Sequence, residues 1–186
     1  TRCPAGSYCT GANAPAVECS PGSYADSTGQ TECDSCATGK FQPGSGSVGC
    51  IECTQGGSCG VGFVIPTLCA AGSYGNASGL TLQANCTACR PGHSCSLGAT
   101  EPAPCVAGTS APNASSAKCA RCEAGSYQGG EGATSCTVCD VGGYCEHGSV
   151  APTPCAEGSF GNTTALALQE GCHTCPVGSA CTLGSS

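Results

Sequence analysis

The spacing of the cysteines constrains this chain more than any other feature. The intervals between successive Cys run 5, 9, 13, 2, 13, 2, 5, 9, 16 and 2 residues, and the same ten intervals then recur. Cys3, Cys89 and Cys175 are therefore equivalent positions, 86 residues apart. Residues 3–88 align on 89–174 without insertion or deletion, and residues 175–186 begin a third round. Self-similarity at a fixed period is the signature of a repeat architecture, so the domains expected are two long repeats and the start of another.

A shorter motif is nested within the long one. C-x-x-G occurs eleven times, opening at Cys3, Cys19, Cys36, Cys53, Cys69, Cys89, Cys105, Cys122, Cys139, Cys155 and Cys175. The second Cys of each unit follows at Cys9, Cys33, Cys50, Cys59, Cys86, Cys95, Cys119, Cys136, Cys145, Cys172 and Cys181. With two Cys per unit, parity closes locally. A Gly at a fixed offset marks a turn with positive φ or a close backbone approach. Seven units place an aromatic two residues after that Gly: Tyr8, Tyr24, Phe41, Tyr74, Tyr127, Tyr144 and Phe160. Such regularity predicts packing across the unit's disulfide rather than a ligand-binding ladder. Segments such as 25–30 and 43–49, rich in Ser, Thr and Gly, read as hairpin tips. The only helical candidates, 80–83 and 166–169, are too short for more than one turn.

Composition explains why staples are needed. Trp and Met are absent, Gly numbers 30, and 22 of 186 residues are Cys, the density of a disulfide scaffold. So little apolar area cannot offset an ordering cost of about 1–2 kcal/mol per residue. Cross-links worth roughly 2–4 kcal/mol each must restrain the unfolded chain instead. The expected fold is small disulfide-rich repeats, short β-hairpins stacked into an elongated rod with little or no helix. Disulfides at this density persist in oxidising surroundings, so the expected location is extracellular, secreted or at the cell surface. Four N-x-[ST] sequons, at Asn76, Asn85, Asn113 and Asn162, predict N-glycosylation. Asn85 has Cys86 inside its sequon, where a disulfide would restrict access. Equivalent prolines Pro66 and Pro152 read as extended connectors or as sites for hydroxylation and O-linked sugar.

The second Cys falls 14 residues after the first in the units at Cys36 and Cys122, so Cys36–Cys50 and Cys122–Cys136 are natural hairpin bridges. Two schemes fit the units whose second Cys comes only six positions after the first. Locally, Cys53 pairs with Cys59 and Cys69 with Cys86; crossed, Cys53 pairs with Cys69 and Cys59 with Cys86. An extended strand would hold Cys53 and Cys59 about 20 Å apart, which favours crossing. A sharp turn at Gly56 would restore the local scheme.

The pattern C-x-x-G-x-[YF]…C-x-x-C, as in CSPGSYADSTGQTECDSC from Cys19 to Cys36, resembles the ephrin-receptor-like cysteine-rich module. That module is akin to the cysteine-rich repeats of growth-factor and tumour-necrosis-factor receptors, and the resemblance covers essentially the whole chain. Tandem arrays of this kind resemble those of long surface proteins of algae and protists, including mastigoneme-type flagellar hairs. The resemblance implies a structural building block of an extracellular filament, flagellar hair or cell-surface layer, with further copies of itself or of the same long chain as partners. The alternative is a receptor or adhesion ectodomain that binds a protein ligand. A chain that starts and stops inside its own pattern reads as an excerpt of a longer protein.

Other chemistries find little support. Six C-x-x-C pairs could in principle ligate zinc, but each straddles the join between two units. The three His, His93, His147 and His173, occupy non-equivalent positions of the repeat and suggest no triad. Net charge is −7, and the five basic residues form no run, which argues against nucleic acid or an anionic membrane as partner. The most apolar stretch, 61–68, is too short to span a bilayer. No calcium loop or phosphate motif occurs. The sequence predicts no enzyme, cofactor or metal.

Overall fold

The computed structural model describes residues 2–11 and 13–186. Among them lie ten antiparallel two-stranded sheets, from β1 (Ser7–Tyr8) with β2 (Val17–Glu18) to β19 (Ser159–Phe160) with β20 (His173–Thr174). Every strand is two residues long, and each sheet is a hairpin of one C-x-x-G unit. The fold is thus an array of small disulfide-rich hairpin repeats. Two short 3-10 turns, Gln83–Asn85 and Gln169–Gly171, begin where the candidate helical segments end.

The chain forms two compact units, Thr1–Ala88 with Ser96–Glu101, and Cys89–Cys95 with Pro102–Ser186. Within each, the hairpins follow one another in chain order.

The C-x-x-G turn makes the hairpin. In the hairpin that opens at Cys36, Lys40 donates its N–H to the Ala37 carbonyl at 3.1 Å, and Gly39 between them has φ 81°. Positive φ at the third residue is what a type II turn requires, and it excludes most side chains. The turn lays β5 (Lys40–Phe41) against β6 (Ile51–Glu52), with Lys40 opposite Glu52 and Phe41 opposite Ile51. Two-residue ladders cannot hold a hairpin alone.

Most of the remaining order comes from backbone bonds between hairpins. At the junction of the hairpins opening at Cys19 and Cys36, Gly22 donates to Gln42 at 2.8 Å and Ala25 to Ser47 at 3.0 Å. In return, Gly46 at the later tip donates to the Cys19 carbonyl at 2.8 Å. This triplet recurs along the array, for instance as Gly125 to Cys145, Gln128 to Ser149 and Gly148 to Cys122.

The hairpins do not touch only their immediate neighbours, as a simple stack would. While its N–H serves the preceding hairpin, many a tip lays its carbonyl over the turn glycine of the hairpin two places back. A Cβ on Gly39 would meet the Gly79 carbonyl oxygen at 2.6 Å, and Gly6 faces Gly46 and Gly142 faces Gly184 in the same way.

The core is sulfur. The leading Cys of the first ten hairpins are all buried, Cys19, Cys36, Cys53 and Cys69 completely, and among the described residues the only other buried apolar side chains besides second-position Cys are Ala25 and Ala111. The repeated aromatics are half-buried at strand ends, each facing a cross-strand residue: Tyr8 faces Val17, Tyr74 faces Thr87 and Phe160 faces His173.

The turn glycine therefore carries a local and a remote constraint, which substitution separates. Gly158 has positive φ (80°) but open space where a Cβ would be. Gly158→Ala should cost about 1–2 kcal/mol, the left-handed backbone term alone. Gly39→Ala should cost more than that, because the Gly79 tip must also lift. Amide hydrogen exchange checks this: protection should fall at Gly79 in the Gly39 variant and stay local in the other.

Candidate functional site

The feature that most resembles a functional device is the disulfide ladder with its row of tips. All 22 Cys are bridged and none is free. Bridges with a separation of 14 include Cys19–Cys33, Cys36–Cys50, Cys105–Cys119 and Cys122–Cys136. Cys69–Cys86 and Cys155–Cys172 span 17. The two Cys of each C-x-x-C belong to different bridges: Cys33 pairs backwards to Cys19 and Cys36 forwards to Cys50.

The units with a separation of six correct the crossed scheme that an extended strand favours. Cys53 pairs with Cys59 rather than Cys69, and Cys3–Cys9, Cys89–Cys95, Cys139–Cys145 and Cys175–Cys181 follow suit. The physical reason is the turn at Gly56, where φ is 81° and Gly57 donates to Thr54. It reverses the chain so that the Cys53 and Cys59 Cα atoms lie 5.9 Å apart, within ordinary disulfide reach.

From the second hairpin onward, each tip is built around one residue in the left-handed region. It is Gly at most tips, such as Gly46 (φ 64°) and Gly79 (φ 70°), but Ser115 (φ 59°) and Ala165 (φ 61°) take the same slot. Ser115 donates to Cys89 at 2.7 Å and Ala165 to Cys139 at 2.8 Å, as glycines do at other tips. Side chains of the hairpin two places back rest beneath several tips. Ser45 donates to the Glu18 carboxylate and Ser78 to that of Glu52, both at 3.2 Å. Nothing in the cysteine spacing or the C-x-x-G motif signals these pairs.

The sequons Asn76 and Asn162 sit three residues before the left-handed residue of equivalent tips, and both are exposed. Asn113 is exposed at the tip that carries Ser115. Asn85 differs: its Oδ1 accepts from the Leu82 N–H at 3.0 Å and from the Thr81 hydroxyl at 3.1 Å, capping the 3-10 turn beside Cys86.

The remaining candidates stay apart. His93 meets the Arg90 guanidinium at 2.9 Å, His173 lies 5.7 Å from the Phe160 ring, and His147 is exposed at a tip. Among the described residues, no three of His, Cys, Asp and Glu gather into a group that could hold a metal ion, and no helix is long and apolar enough to cross a membrane. No family model and no curated protein matches the chain. Disulfides at this density identify a stabilised structural or ectodomain-type module of an oxidising, extracellular kind.

Non-reducing peptide mapping should recover eleven bridges, with Cys53–Cys59 in one small peptide and no thiol to alkylate. Recovery of Cys53–Cys69 would revive the crossed scheme. Replacing Cys36 and Cys50 together by Ser should cost about 2–5 kcal/mol, read from the denaturant midpoint.

Proposed function

We propose that this chain is a structural building block of an extracellular filament, flagellar hair or cell-surface layer, its partners being further copies of itself or of the same long chain. The observation that carries this reading is the invariant 86-residue period together with tips that reach two hairpins back. An insertion in one tip would displace contacts on two other hairpins, so loop length is fixed throughout rather than at one binding face. Loops of a ligand-binding protein ordinarily tolerate length changes away from the site. The resemblance of the units to the ephrin-receptor-like module accords with an ectodomain setting.

In this reading the mechanism is mechanical. The bridges that span 14 or 17 residues enclose their hairpins and limit how far those can extend under load, while the bridges that span six lock only the turn. Sugars on Asn76, Asn113 and Asn162 keep the tips hydrated. A second reading, a receptor or adhesion ectodomain, draws on one observation: the hairpin opening at Cys53 is markedly more apolar than its copy.

Electron microscopy of the native material is the direct test. The structural reading expects polymers with a regular axial repeat; dispersed single molecules bound to a cell-surface ligand would replace it with the receptor reading. Mass mapping of glycopeptides from a broad-specificity protease digest should find sugar on Asn76 and Asn162 alike. Bare Asn at both would remove the hydrated-tip mechanism.

A further inference from the structure

The two long repeats share a backbone pattern but not a surface. Residues 53–89 contain no Asp, Glu, Lys, Arg or His, whereas the equivalent 139–175 carry Asp140, Glu146, His147, Glu157, Glu170 and His173. Within that uncharged stretch the hairpin opening at Cys53 exposes large apolar side chains. Val61 is 65% exposed, Ile65 68% and Leu68 48%, and Leu82 from the next hairpin is 61% exposed. Phe63 and Leu82 line one shallow groove with Ser58, Gly60 and Thr67.

The fold does not require this face. In the second repeat Val61, Phe63, Ile65 and Leu68 are replaced by His147, Ser149, Ala151 and Pro154. The backbone is the same nonetheless: Gly57 pairs with Leu68 as Gly143 pairs with Pro154, and the bridge of Phe41 to Phe63 has its counterpart in Tyr127 to Ser149. Apolar side chains that are dispensable for folding and exposed together within the eight residues 61–68 mark an interaction surface.

Charge selects the occupant. With a net charge of −7, two copies repel one another over most of their surfaces. The face around Val61, Phe63 and Ile65 lies in the longest uncharged stretch of the chain, so two copies that meet there oppose the fewest like charges, and a two-fold contact needs only one such patch on each. We propose that this face is a self-association surface, on which a second copy of the chain docks through the same face. The proposal rests on the structural-block reading and deepens it by naming a lateral contact between copies.

The test is sedimentation of the full, disulfide-intact chain over a concentration series. The unaltered chain should dimerise, and more tightly at high salt, because screening removes the residual repulsion. A chain carrying Val61→His, Phe63→Ser, Ile65→Ala and Leu68→Pro, the residues its own copy already tolerates, should show a dissociation constant raised at least about tenfold. Ile65→Asp alone, on an exposed side chain, should act in the same direction. An unaltered chain that stays monomeric at every concentration, or binds only a different protein there, overturns the proposal, as does a quadruple variant that dimerises as well as the parent. Filaments seen without lateral pairing would sink this contact and leave the structural role standing; dimers without filaments would do the reverse.

Discussion

Everything in this structure depends on sulfur taking the place of a hydrophobic core. The chain has three Phe, five Tyr and neither Trp nor Met, and what it buries is almost entirely cystine. A bridge that closes about 15 residues contributes about 3 kcal/mol by restricting the unfolded chain. The hairpins can therefore be very short, since their strands need not build an apolar face. Short strands in turn leave the backbone to hold the array, through N–H and carbonyl groups exchanged across every junction.

That exchange explains why glycine recurs at two places in most units. The turn glycine lets the chain reverse within the five residues between Cys53 and Cys59, and it leaves room for a carbonyl from two hairpins on. The tip residue must lie in the left-handed region to send its N–H one way and its carbonyl another. Ala165 shows that the tip slot tolerates a methyl group where the geometry is imposed by neighbours, although such a backbone costs about 1–2 kcal/mol.

Much of this was legible beforehand. The cysteine intervals delimit the units, and the fourteen-residue separation brings Cys36 to Cys50 by simple hairpin geometry. The polar runs between Gly and the next Cys locate the tips. Two features were not legible. The pairing of Cys53 with Cys59 is hidden because a six-residue separation looks too long when the segment is drawn as a strand; only the φ of Gly56 shortens it. The reach of Gly79 to Gly39 is hidden because pattern analysis compares each unit with the next, and the contact skips one. The engagement of Asn85 in a cap was equally invisible, since its copy Gly171 has no side chain to do the same.

The skipping contact has a consequence for how such a chain is made. Each ring closes between cysteines at most 17 residues apart, so a chain delivered N-terminus first through a translocation pore can oxidise each pair from material already at hand. Non-native pairings with distant cysteines are disfavoured by the entropy of closing longer loops. A hairpin whose ring is closed is still unseated, however, until two more have emerged and the second lays its tip over the waiting glycine. Assembly therefore advances as a front that trails synthesis by two hairpins, and the last two at any growing end remain the least secured part of the molecule.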